Sequence, residues 1–308
     1  MKPFLLNPIK DYTIWGSNHI SKVRGIRENY GTWWEVSAHP YGSNTIKNIP
    51  GNPTLLEVIQ KDPDSILGKG YTLHETLRLA YLDTQDALSI QVHPDDDYAL
   101  EHSNDYGKYE SWYILDAKEG ATLVAGTNCS DKEKIKKSIK DGTLDKYLVK
   151  FPVKKGDYIT IPAGMLHALG KDILALEIGT NSNTTYRFYD YGRIGKDGKT
   201  RPLHLKESFD VVNFHLKPTF VPAKNTSRRI GDCPTFTVDE IYADNDINIQ
   251  CKDSYFILSN ITNDCMIQWK DEEILLPAYD SLFVPYCSKQ VTLKKGGHVL
   301  CSMPKRQF

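Results

Sequence analysis

The stretch "GDYITIPAGMLHALG", Gly156 to Gly170, decides the fold. Tyr158 to Ile161 is rich in β-branched and aromatic residues, as a strand should be. Pro162 ends that strand, Gly164 permits a tight turn, and His167 starts the next strand. The glycines and the proline make a stiff hairpin that turns the imidazole of His167 inward. An imidazole fixed just after such a turn raises the question of what else lies beside it.

Working outward, "ALSIQVHPDD" (Ala87 to Asp96) is a second strand that breaks at a proline. Successive strand side chains alternate between faces, so Gln91 and His93, two apart, share one. Folding alone does not require that pair. Further short strands are expected in "ESWYIL", "ILALEIG" and "TTYRFYDY", and after about residue 204 in "TFTVDEIYA", "SYFILSN", "MIQWKD", "EILLP", "DSLFVPY", "QVTLKK" and "HVLCSM". Many short strands with few helices point to an all-β sandwich or jelly roll. Helical signals are concentrated. "TLLEVIQKD" carries a capping box from Thr54 to Glu57, and "SDKEKIKKSIKDG" repeats the pattern from Ser130 to Glu133. The second of these, with "TLDKYLVK" from Thr143, predicts a small helical insert over about 130–149.

Composition excludes several classes. The chain has 308 residues, which suits two domains or one large β domain. Its 38 Lys and Arg balance 39 Asp and Glu, so no basic field exists to hold nucleic acid or a membrane surface. The first residues hold only a three-residue apolar patch, Phe4 to Leu6, too short for a signal peptide or a span. A soluble cytoplasmic protein is the expectation. The six cysteines include no C-x-x-C pair and are expected to be reduced, buried thiols. The passage His215 to Pro234 carries three prolines and is the most linker-like segment.

The spacing G-x5-P-x-G-x2-H over Gly156–His167 is similar to the second metal motif of the cupin jelly roll. The first cupin motif supplies two ligands two apart on a strand and a Glu on the next strand. That resemblance implies Gln91, His93 and Glu110 as partners of His167. One amide oxygen, two imidazoles and one carboxylate suit a divalent ion of borderline softness, such as Zn²⁺, with open positions. Taken singly, each residue has a plain structural explanation. A His before a Pro is usually a surface or turn residue, and a strand arginine such as Arg187 is usually solvated. The other histidines show no such arrangement, and no metal is expected in the C-terminal part.

Longer motifs carry a closer resemblance. "LSIQVHPDDDYA", "GKYESWYIL", "IPAGMLHALG", "LEIGTNSNTTYRFYDYGR", the early Trp15–Gly16 and "WWEVSAHPYGSN" resemble type I mannose-6-phosphate isomerases in their short bacterial form. The similarity runs from about residue 12 to residue 205. It implies two cupin jelly-roll barrels: residues 1–215 as a metal-binding domain with the helical insert, and 216–308 as a metal-free domain. It also implies one Zn²⁺ per chain and a sugar phosphate substrate, mannose 6-phosphate interconverting with fructose 6-phosphate.

By the same resemblance the zinc ligands fall on Gln91, His93, Glu110 and His167, the catalytic arginine on Arg187, and a further catalytic lysine on Lys108. Arginine stays charged, so Arg187 is expected to act electrostatically rather than as a base. Lys108 is expected to sit beside the ion and shuttle protons. Two positions depart from the family pattern. Ala80 stands where a lysine is usual, with Arg78 two residues away on the same strand face, and Tyr109 replaces a threonine beside Glu110. A non-catalytic sugar-binding metal cupin, an isomerase of another sugar phosphate, and an Fe²⁺ oxygenase therefore remain as rivals.

Overall fold

The strand Glu110–Ala117 is buried over its first six residues. Its side chains alternate between two cores. Trp112 and Ile114 enter one cluster, and Tyr113 and Leu115 enter another. A strand covered on both faces reads as a continuous apolar run, because neither face meets water. The structure is a computed structural model and describes residues 1–195 and 198–306.

All named strand pairs are antiparallel. Glu110–Ala117 lies inside a seven-stranded sheet, between Tyr158–Ile161 and Ile173–Thr180. Leu77–Asp83, Thr32–Val36 and Ile9–Asp11 extend that sheet on one side, and Thr219–Val221 closes it on the other. A five-stranded sheet carries, in order, Leu148–Pro152, Thr122–Thr127, His167–Ala168, Ile90–Val92 and Tyr186–Tyr189. One core, with Trp112, Ile114, Ile159, Leu123, Ala125 and Leu166, joins these two sheets.

The C-terminal part repeats the arrangement with a six-stranded and a four-stranded sheet around Leu258, Ile267, Leu282 and Val299. A third core lies between the two large sheets, where Tyr81, Tyr113, Leu176 and Ile178 meet Phe236, Val238, Ile257 and Leu300. The molecule is thus mostly β, in several layers with apolar residues between them. The short strand Phe4–Leu5 pairs with Ser281–Val284, which ties the N-terminus to the C-terminal sheet.

The helices follow local signals. Thr54 caps Leu55–Lys61 with both halves of the capping box. The helix Lys132–Lys140 starts one residue later than its sequence suggests. Asp131, rather than Ser130, accepts from the Glu133 and Lys134 N–H groups, because a carboxylate is the stronger acceptor for a helix N-terminus. A 3₁₀ turn, Leu144–Tyr147, follows it. Helices outside the two anticipated stretches include Asp96–His102, which Asp95 caps, and Leu205–Val211, whose N-terminus has no side-chain cap. No helix among the described residues is long and apolar enough to cross a membrane.

Candidate metal centre

The hairpin that holds His167 depends on Gly164, whose φ is +84°. A Cβ there would also meet the Val211 carbonyl oxygen at 3.0 Å. The Gly164 N–H donates to the His93 carbonyl (2.8 Å), so the turn is fastened to the strand end that carries His93. His167 pairs in register with both Gln91 and Ala125. These pairings place the residues from both quoted stretches side by side.

The side chains converge. The Nε2 atoms of His93 and His167 are 3.1 Å apart. Each lies 3.3 Å from a different oxygen of Glu110. Gln91 brings its side-chain amide within 3.2 Å of His167 Nε2, and an amide flip would present its oxygen there. His93, Glu110 and His167 are essentially inaccessible to solvent.

The protonation pattern follows from the outer partners. His93 Nδ1 donates to the Thr184 carbonyl (3.0 Å), and His167 Nδ1 donates to the Met165 carbonyl (2.8 Å). Both rings then turn Nε2 toward each other and toward the carboxylate. Burial, reinforced by the Lys108 charge, lowers the His93 pKa to about 3, so that ring stays neutral near pH 7. Burial works to raise the pKa of Glu110. The Lys108 ammonium and then the two imidazoles outweigh it and hold Glu110 well below the usual carboxylate range. Neither Glu110 oxygen has a hydrogen-bond partner of good geometry, although Lys108 Nζ lies 2.6 Å from Oε2.

Two imidazole nitrogens converge on a buried carboxylate whose oxygens lack a well-aligned hydrogen-bond donor, an arrangement that a further cation beside Lys108 would relieve. Their ligand atoms all fall within 4.8 Å of one another, as a metal site requires. The donor set therefore fits a divalent ion, with carbonyl-anchored imidazoles of the kind that orient metal-bound His.

Lys108 is buried and bracketed by two carboxylates, with Glu177 2.9 Å from Nζ. Sequence reading passed over Glu177, which sits in "ILALEIG" and looks like part of an apolar strand. A charge inside such a run was the available signal, since an acidic residue there must find a partner. Arg78 lies 3.9 Å from Glu177, donates to Asn183 Oδ1 (2.9 Å) and rests over the Trp34 ring. Ala80 pairs across the sheet with Glu177.

Arg187 occupies the strand beside Gln91, its register partner. Its Nη1 donates to the Pro202 carbonyl (2.9 Å), while its Nε is buried without a partner. Burial lowers its pKa, and the charges of Arg201, Asp190 and Arg193 also act on it. Arg193 and Arg201 both bind Asp190. Arg187 thus lies on the strand next to Gln91, beside a pair of guanidiniums, Arg193 and Arg201, that share the Asp190 carboxylate.

No family model matches the chain. It is 33% identical over 292 residues to the mannose-6-phosphate isomerase of Streptococcus mutans, with 92% of each protein covered. It is 39% identical over 225 residues to a probable mannose-6-phosphate isomerase of Bacillus subtilis, with 71% of each covered. Among solved structures, a mannose 6-phosphate isomerase from Bacillus subtilis matches with a TM-score of 0.85 at 28% identity, covering 98% of this chain and 99% of that one.

Proposed function

The chain belongs to the mannose-6-phosphate isomerase family, and we propose that it interconverts mannose 6-phosphate and fructose 6-phosphate with one Zn²⁺ per chain. The observation that carries this reading is the convergence of His93 Nε2 and His167 Nε2, 3.1 Å apart, each 3.3 Å from a different oxygen of the buried Glu110 carboxylate. Gln91, His93, Glu110 and His167 would hold the ion. Nitrogen and oxygen donors without thiolate suit zinc in a catalytic rather than a closed structural site. When bound, such an ion polarises and orients the sugar oxygens.

The remaining steps belong to the side chains. Isomerisation moves a proton between C1 and C2 through an enediol. Lys108 and Glu177 offer a donor and an acceptor 2.9 Å apart, which suits a transfer that must run both ways. Arg187 stabilises the negative charge that develops on the carbonyl oxygen, because a guanidinium keeps its proton. Arg193 and Arg201 share Asp190, leaving surplus positive charge beside Arg187. That surplus suits the phosphate group.

The architecture is read as two cupin jelly rolls. The first, over 1–215 with Thr219–Val221 added as an edge strand, holds the ion, and the second, over the rest of 216–308 with Phe4–Leu5 added, holds none. A cytoplasmic enzyme of sugar phosphate metabolism fits this reading.

A coupled assay for fructose 6-phosphate, run with and without a chelator, tests it. Turnover that the chelator abolishes and Zn²⁺ restores is expected. Sugar phosphate binding without turnover would replace this reading with a non-catalytic cupin, and oxygen consumption would replace it with an oxygenase.

A further inference from the structure

The segment Asn181–Thr185 joins the strand that carries Glu177 to the strand that carries Arg187. It belongs to no helix or strand, so no ladder of hydrogen bonds fixes its path. Two of its groups nevertheless hold the centre. The Thr184 carbonyl accepts from His93 Nδ1, and Asn183 Oδ1 accepts from Arg78.

One carboxylate organises that segment. Asp105 Oδ2 accepts from the Asn183 N–H (2.8 Å), the Thr184 hydroxyl (2.8 Å) and the Ser182 hydroxyl (3.3 Å). Its Oδ1 accepts from the Tyr106 N–H (2.8 Å) and from His39 Nε2 (3.1 Å). His39 Nδ1 accepts from the Tyr41 N–H (3.1 Å), so its proton lies on Nε2, facing Asp105. Five donors on one carboxylate are unusual for a loop residue. Burial acts to raise the Asp105 pKa, but the donors from His39, Asn183 and Thr184 outweigh it.

We propose that Asp105 is a positioning residue for the metal centre, acting through the Thr184 carbonyl to fix the ring and tautomer of His93. The proposal rests on the reading of His93 as a metal ligand. A ligating imidazole binds through the nitrogen that its outer hydrogen bond leaves free. The outer partner here is a main-chain carbonyl, and its place is set by Asp105 rather than by secondary structure. His39, held by the hairpin of Ala38–His39 and Gly42–Ser43, braces the far oxygen of the same carboxylate.

The test uses the full chain, stripped with a chelator and titrated with Co²⁺, whose visible absorption reports ligand geometry. Asp105→Ala should weaken Co²⁺ binding by about 10- to 100-fold, the range for outer-sphere partners, and change the visible spectrum. Asp105→Asn, which loses one acceptor oxygen, should fall between it and the parent. Leu258→Ala, in the C-terminal core, serves as a control that lowers the melting temperature and leaves affinity and spectrum unchanged.

Affinity within twofold of the parent and a parental spectrum for Asp105→Ala would overturn the proposal, and so would the same loss in Leu258→Ala. If Asp105→Ala does not fold, Asp105→Asn decides by the same criteria. A parent that takes up no Co²⁺ would overturn the metal reading itself, and this proposal with it. A parent that binds normally beside an unaffected Asp105 variant removes Asp105 alone.

Discussion

His93 Nε2 and His167 Nε2 face each other at 3.1 Å, and the other nitrogen of each ring is committed to a main-chain carbonyl. Each ring therefore turns Nε2 toward the other and toward Glu110, an arrangement that fits a shared cation.

His167→Ala removes one of those nitrogens and its 3.2 Å side-chain contact to Gln91. The variant should purify without a stoichiometric ion while the parent retains one. Elemental analysis checks this, and a full equivalent in the variant would reject His167 as a ligand.

Lys108→Met leaves Glu110 and Glu177 buried with no cation between them. Breaking one side of a buried ion pair costs about 3–5 kcal/mol, and the cost should appear in denaturant unfolding of the chelator-treated protein. Added Zn²⁺ should recover part of it. Turnover should fall by about 10²- to 10⁴-fold, the usual worth of a general acid–base group. Near-parental turnover would remove Lys108 from proton transfer.

Arg187→Ala should keep the ion, because Arg187 hydrogen-bonds Pro202 and contributes no ligand atom to the His–Glu cluster. Its kcat should drop by about 10²- to 10³-fold, as for loss of one charge-stabilising donor. Ion content and kcat measured on one preparation separate the two effects.

A pH effect is expected away from the centre. Glu35 is buried beside Arg24, and burial raises its pKa from 4.5 to about 7 against the opposing Arg24 charge. A carboxyl group raised in the folded state contributes stability fully below pH 4.5, and that contribution is lost as the pH rises through 7. Glu35→Gln mimics the protonated form. It should therefore gain on the parent between pH 5 and pH 8, by a relative change on the order of 3 kcal/mol. Parallel stability curves for the two proteins would show that Glu35 does not titrate in this window.

Much of the centre is readable from the chain because its geometry is local. Gln91 and His93 share a face through strand alternation alone, and Gly164 fixes the turn before His167 through its backbone freedom. Glu177 and Asp105 were not readable in this way. Glu177 hides in an apolar strand, and Asp105 in "HSNDYGK" looks like any loop acid, because its five donors come from three separate segments. Arg78 needed the sheet register to appear beside Glu177. The pairing of Phe4–Leu5 with a strand near residue 282 also has no local signal, since two-residue strands are set by tertiary contacts.

X-ray absorption at the zinc edge of the untreated protein, combined with its metal content, tests the central claim most directly. The account predicts one ion per chain, with two imidazole nitrogens and the remaining donors all nitrogen or oxygen. A metal-free protein that isomerises at full rate in excess chelator, or an ion bound through sulfur, would contradict it.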